Sequence, residues 1–188
     1  MESRPGLKYS SGFSLVEVLV TLVILAVGLL GVAALQSRLH ASEAEAYQRS
    51  QALILLKDME SRLSANRNFA ASYVTGSSSP LGVGMTCATS TTTRQQLDSA
   101  EWCNALQGAA EISGTDKVGA MIGGRGCIES IGSGKYLITV AWQGLTPLSA
   151  PASSLRCGKN SYDGASGSTC SNDLCRRVVS TVVRVADL

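Results

Sequence analysis

Glu17 is a carboxylate at the entrance to an apolar run, and that position narrows the chemistry open to it. From Val18 to Leu35 the chain has 18 consecutive residues without a charge, about the length at which a helix becomes a candidate membrane span. An acid inside hydrocarbon costs about 2.5–3.5 kcal/mol on insertion scales, less near the interface, and such groups are normally paired. No basic residue lies within a helical turn of Glu17. A cut between Gly12 and Phe13 would create one, the freed amine of Phe13, four residues away. In one straight helix that amine reaches its own Glu17 poorly. The amine of a neighbouring helix, shifted along the axis, reaches it better, which would make Glu17 a register device between packed helices.

The second set of reactive side chains is the cysteines. Cys87, Cys103, Cys127, Cys157, Cys170 and Cys175 all follow the apolar run. An even count confined to that part of the chain points to disulfides in an oxidising compartment. No CxxC pair occurs and the single histidine, His40, is remote from every cysteine, so a zinc site is not expected. Six cysteines allow 15 pairings. The preferred set is Cys157–Cys175 closing the long loop before the last strand, Cys87–Cys103 pinning an earlier loop to a short helix, and Cys127–Cys170 by remainder.

Other motifs are weaker. Gly132-Ser133-Gly134-Lys135 lacks the glycine and the Ser/Thr that a phosphate loop needs at 129 and 136, where Glu129 and Tyr136 stand instead. A hairpin turn is the expectation. Asn160, Asp163, Asn172 and Asp173 carry oxygen ligands without EF-hand spacing. No metal or cofactor is expected. Arg176, Arg177 and Arg184 are read as a solvated strand face; with net charge +2 and only 5% aromatic residues, nothing calls for nucleic acid. No Ser/His/Asp or Cys/His set is available for catalysis, so the chain reads as a substrate of a processing enzyme, not as an enzyme.

These residues need elements to position them. No proline lies between Phe13 and Arg67, and one helix over 13–66 is predicted. Leu35, Leu39, Ala46, Leu53, Leu56 and Leu63 recur at one- or two-turn spacings as its apolar stripe. Glu45 with Arg49, and Asp58 with Arg62, are i,i+4 pairs on its solvated side. Gly28 and Gly31 suit close helix packing in a membrane. Residues 72–93 are rich in Ser, Thr and Gly and read as a loop. Residues 94–110 read as a short helix with Leu97, Ala100, Leu106 and Ala109 inward. Cys127–Ile131 and Tyr136–Gln143 read as a hairpin, with Tyr136, Ile138, Val140 and Trp142 on one face. Arg177–Val185 reads as the last strand. The expected architecture is α+β: a long helix covering one side of a small antiparallel sheet.

Arg4 and Lys8 outweigh Glu2 ahead of the apolar run, which favours a cytoplasmic N-terminus. A secretory signal cut near Ala33-Ala34 fits less well, because signal cores run about 7–15 residues. The stretch SGFSLVEVLVTLVILAVGLLG resembles the N-terminus of type IV pilins and type II secretion pseudopilins, across roughly residues 11–40. That resemblance implies a leader ending at Gly12, cleavage by prepilin peptidase, N-methylation of Phe13, and Glu17 as the assembly glutamate. It implies a pilin-like fold divided into leader 1–12, membrane-spanning half-helix 13–36, amphipathic half-helix 37–68 and disulfide-containing head 69–188. It also lends support to a disulfide-bound C-terminal loop. One departure matters: major pilins usually carry a proline within this helix, and here there is none. The departure fits a minor pilin, with other minor pilins, the major pilin and the inner-membrane assembly platform as partners. A minor pseudopilin, or a membrane-anchored or secreted disulfide-rich binding domain, are the alternatives.

Overall fold

The computed structural model describes residues 12–185 except 110, 111, 115, 118 and 120, and gives backbone alone at 112, 113, 116 and 117. The described chain divides into two units, one reaching to Ser42 and one from Glu43 onward. Helix α1, Leu15–Ala65, contributes to both. Its start is marked by the Ser14 carbonyl, which accepts from the amides of Glu17 (3.0 Å) and Val18 (3.2 Å). Glu17 in the first turn and Arg62 in the last complement the helix dipole. In the first unit the apolar window has a mean hydropathy of 2.9, and its residues are exposed.

In the second unit α1 buries Gln48, Ala52, Leu56, Met59 and Leu63. This stripe differs from the expected one. Leu56 and Leu63 face the core, while Ala46 and Leu53 are exposed. Three- and four-residue steps from Ala52 through Leu56, Met59 and Leu63 hold one face of a 3.6-residue period, and Leu53 lies off that face. A 3₁₀ turn, Arg67–Tyr73, follows and buries Ala70 and Tyr73.

The main sheet has the order β1-β4-β5-β6, all antiparallel, from Leu81–Gly82, Arg125–Ser130, Lys135–Gln143 and Arg176–Arg184. Strand β1 falls inside the stretch expected to be loop. The hairpin β4–β5 has the expected turn: Gly132, Ser133 and Gly134 all take positive φ, and Lys135 N donates to Gly132 O. Helix α2, Arg94–Leu106, opens with a capping box between Thr93 and Gln96. Its inward residues include Trp102 and Leu106, whereas Leu97, expected inward, is exposed. Trp102 displaces it because its ring fills the space over Gly126, where an added Cβ would come 2.2 Å from Trp102 Cη2. A second ladder pairs β2 (Ile112–Ser113) with β3 (Asp116–Lys117).

The principal core joins Leu56, Met59 and Leu63 to Trp102, Ile128, Ile138, Val140 and Trp142. Ile138, Val140 and Trp142 share a strand face, as their alternation predicted. The expectation of a sheet buried on one side only does not hold. On the reverse face Cys127, Ala141, Cys157 and Tyr162 form a second cluster, with Val178 against it. The long segment between β5 and β6 folds back as this second layer.

The cysteines pair in chain order. Cys87 bonds Cys103, the expected pair. Cys127 bonds Cys157 and Cys170 bonds Cys175, which replaces the expected Cys157–Cys175 and Cys127–Cys170. The reason is the pleat. Ile128 points to the helix layer, so its neighbour Cys127 points to the reverse face, where Cys157 lies. Cys170 and Cys175 meet because Asn172 and Asp173 both take the left-handed conformation and reverse the chain within five residues.

Two of the three arginines read as solvated are interior. Arg176 has a side-chain exposure of 2%; its Nη1 donates to Leu155 O (2.7 Å) and Cys157 O (3.1 Å), and its Nη2 lies 3.2 Å from Asp173 Oδ2. Arg177 donates to Leu174 O (3.1 Å) and Thr146 O, and reaches Glu45 Oε1 at 3.4 Å. Glu45 also accepts from the Leu145 amide (2.9 Å) and so ties α1 to the long segment instead of pairing with Arg49. Arg184 is exposed, as expected.

Candidate functional site

The residues around Gly12 are arranged for access. Gly12, Phe13 and Ser14 precede the first helical residue, so the Gly12–Phe13 bond is not locked in helical hydrogen bonding. Phe13 is 85% exposed. An added Cβ at Gly12 would meet nothing within 4 Å. Among the described residues, nothing crowds the backbone at this position. Glu17 is exposed in the first turn of α1, and its carboxylate has no hydrogen-bond or ion-pair partner among the described residues. An acid at the head of an uncovered apolar helix, with its carboxylate unengaged, is available to a cation from another molecule.

Chemically the segment offers an accessible peptide bond and an acid. It offers no nucleophile with a base. Among the described residues no group of three or more potential metal ligands occurs. Asn160, Asp163 and Asp173 are used in structure: Asp173 Oδ1 accepts the Asn160 amide at 2.8 Å, and Asp163 Oδ1 accepts the Asp173 amide at 2.8 Å. His40 is exposed on α1.

The most ordered polar cluster of the head escaped sequence reading. Asp98, 1% exposed, receives Arg62 (3.0 Å), Arg94 (3.0 Å) and the Tyr73 hydroxyl (2.6 Å). Arg62 also bridges Asp58 and Glu101. Desolvation opposes charge on Arg62, but the hydrogen bonds it donates to Glu101, Asp58 and Asp98 outweigh it and hold the guanidinium more firmly protonated. Burial first, and the bond to Asp98 second, push the Tyr73 hydroxyl above its ordinary value. With every charge paired, the cluster pins α1, the 3₁₀ turn and α2 together. Its signals in the sequence are two i,i+4 spacings, Asp58 with Arg62 and Arg94 with Asp98.

The model of the prokaryotic N-terminal methylation motif matches residues 7–33, and the segment with Gly12, Phe13 and Glu17 lies inside that match. No curated protein and no solved structure matches the chain. The motif and the exposed apolar helix indicate a prepilin-like N-terminus, of the kind that prepilin peptidase processes at the inner membrane. The long helix on a four-stranded antiparallel sheet with disulfides is a pilin-like α+β fold, and the motif indicates a structural protein of type IV pilin- or pseudopilin-like kind, not an enzyme.

Proposed function

We propose that the chain is a minor pilin of a type IV pilus, resembling PilV, which takes part in initiating pilus assembly and thereby supports twitching motility and adhesion. The observation that carries this reading is the Gly12–Phe13 junction standing outside α1 with Glu17 unpaired four residues on. Residues 1–12 are removed as leader, Phe13 is N-methylated, 13–36 form the membrane-spanning half-helix, 37–68 the amphipathic half, and 69–188 the periplasmic head. Glu17 neutralises the Phe13 amine of a neighbouring subunit. The partners are prepilin peptidase, other minor pilins, the major pilin and the inner-membrane platform. The lack of a proline in α1 supports a minor subunit over a bulk one. The three disulfides support the pilus over the secretion pseudopilus, which shares the same N-terminal motif.

The test is peptide mass spectrometry of the mature N-terminus in membranes from cells with and without prepilin peptidase. A methylated Phe13 that disappears without the enzyme is the expected result. An uncut chain, or an end near Ala34, overturns the reading. Cross-linking of the processed protein then separates the two systems: capture of pilus subunits supports the minor pilin, and capture of secretion components alone supports the pseudopilin.

A further inference from the structure

On the head, Arg156 and Lys159 converge with Ser77, Ser78 and Asn160 on an open depression of about 290 Å³. Its two cations have no ion-pair partner among the described residues. No carboxylate lines it. The nearby acids are committed elsewhere: Asp173 to Arg176 and the Asn160 amide, and Asp163 to the Asp173 amide. The depression therefore keeps two positive charges without an ion-pair partner beside the hydroxyls of Ser77, Ser78 and Ser161.

Both walls are held by the sheet. On one side the amides of Thr75 (3.0 Å) and Gly76 (3.1 Å) donate to Ile128 O, and Ile128 N returns a bond to Thr75 Oγ1. On the other, Arg156 sits between Leu155 and Cys157, whose carbonyls both accept from buried Arg176, and Cys157 is bonded to Cys127. The backbone that carries the donors is thus held in place, so binding has only their side chains to order.

We propose that this depression binds a phosphate group carried on a sugar or polyol. A guanidinium presents a planar fork to two phosphate oxygens, an ammonium adds a point charge, and the serine hydroxyls donate to the remaining oxygens. The volume exceeds what a bare phosphate needs and leaves room for the group that carries it. A lipid headgroup and a phosphorylated surface polysaccharide both present this chemistry.

The full chain in a non-ionic detergent is titrated by calorimetry with glucose 1-phosphate, glycerol 1-phosphate and, as a neutral control, glucose. Both phosphates, or one of them, are expected to bind near millimolar Kd with glucose silent, and R156Q/K159Q is expected to weaken that binding at least tenfold. Preference for glucose 1-phosphate assigns the polysaccharide source, and preference for glycerol 1-phosphate the headgroup. Thermal unfolding and disulfide mapping of the variant establish that its fold is kept, and the surface variant S77A supplies an independent check. Absence of binding by every phosphate probe, or binding unchanged in a folded R156Q/K159Q, overturns the proposal.

Discussion

Arg176 Nη2 stands 3.2 Å from Asp173 Oδ2, with side-chain exposures of 2% and 7%. The guanidinium joins the Cys170–Cys175 turn to the carbonyls of Leu155 and Cys157. Removing one partner of such a buried pair strands the other charge. Asp173→Asn keeps a residue tolerant of the left-handed backbone seen there, at φ 63°. It is expected to cost about 3–5 kcal/mol in urea unfolding. Asp173→Asn with Arg176→Met is expected to cost less than the two single changes added together.

The disulfides should differ in weight. Cys127–Cys157 closes a separation of 30 residues and Cys170–Cys175 one of 5. Chain entropy assigns them about 4 and about 2 kcal/mol. Paired serine substitutions compared by denaturant midpoint check this order, and equal losses would count against it.

Gly126 answers to packing, not to backbone freedom. An added Cβ would fall 2.2 Å from Trp102 Cη2 and 2.7 Å from Leu106 Cδ1. Gly126→Ala is expected to destabilise by about 1–3 kcal/mol through overpacking, with a change in Trp102 fluorescence. Gly132→Ala is a contrasting control, since its cost lies in a positive φ and not in a clash.

High pH should loosen the reverse face. Burial of the Tyr162 hydroxyl, which donates to Gly123 O at 2.8 Å, raises its pKa above the ordinary 10.0. Folded protein therefore holds this proton more tightly than unfolded protein does. The stabilisation is complete below pH 10 and is lost as pH rises through the folded-state value. Urea unfolding across that range, compared with Tyr162→Phe, should show a shallower alkaline decline in the variant.

Glu17→Ala is expected to leave membrane insertion and cleavage intact while reducing co-purification with other pilins. A loss of roughly tenfold corresponds to about 1.4 kcal/mol. Wild-type recovery of partners by the variant would remove Glu17 from assembly.

What was legible in the sequence followed from periodicity. The alternation of Ile138, Val140 and Trp142, the Gly-Ser-Gly turn and the proline-free helix each express a local rule. Leu97 and Trp102 show where such rules stop. Both fit one helix face or its margin, and the choice between them rests on Gly126, which is distant in the chain. Arg176 was opaque for a related reason. Its burial depends on carbonyls at 155 and 157 and on an acid displayed by a left-handed turn, none of which leaves a periodic trace. Two of the three expected disulfides differ for the same reason, since the sequence pattern gives no sign of a covering layer over the reverse face, whereas Cys87–Cys103 is as expected. The N-terminal segment was legible because its meaning lies in types and spacing: Gly12, Phe13 and Glu17 ahead of an uncharged run.

The six cysteines form three consecutive pairs along the chain: Cys87 with Cys103, Cys127 with Cys157, Cys170 with Cys175. A chain synthesised from its N-terminus presents its thiols in that same order. Oxidation that joins the thiols in consecutive pairs as they emerge therefore yields the native connectivity directly. No bridge has to wait for β6, the final strand, and none has to be reshuffled afterwards. Maturation of this head can proceed with an oxidant alone, without a disulfide isomerase.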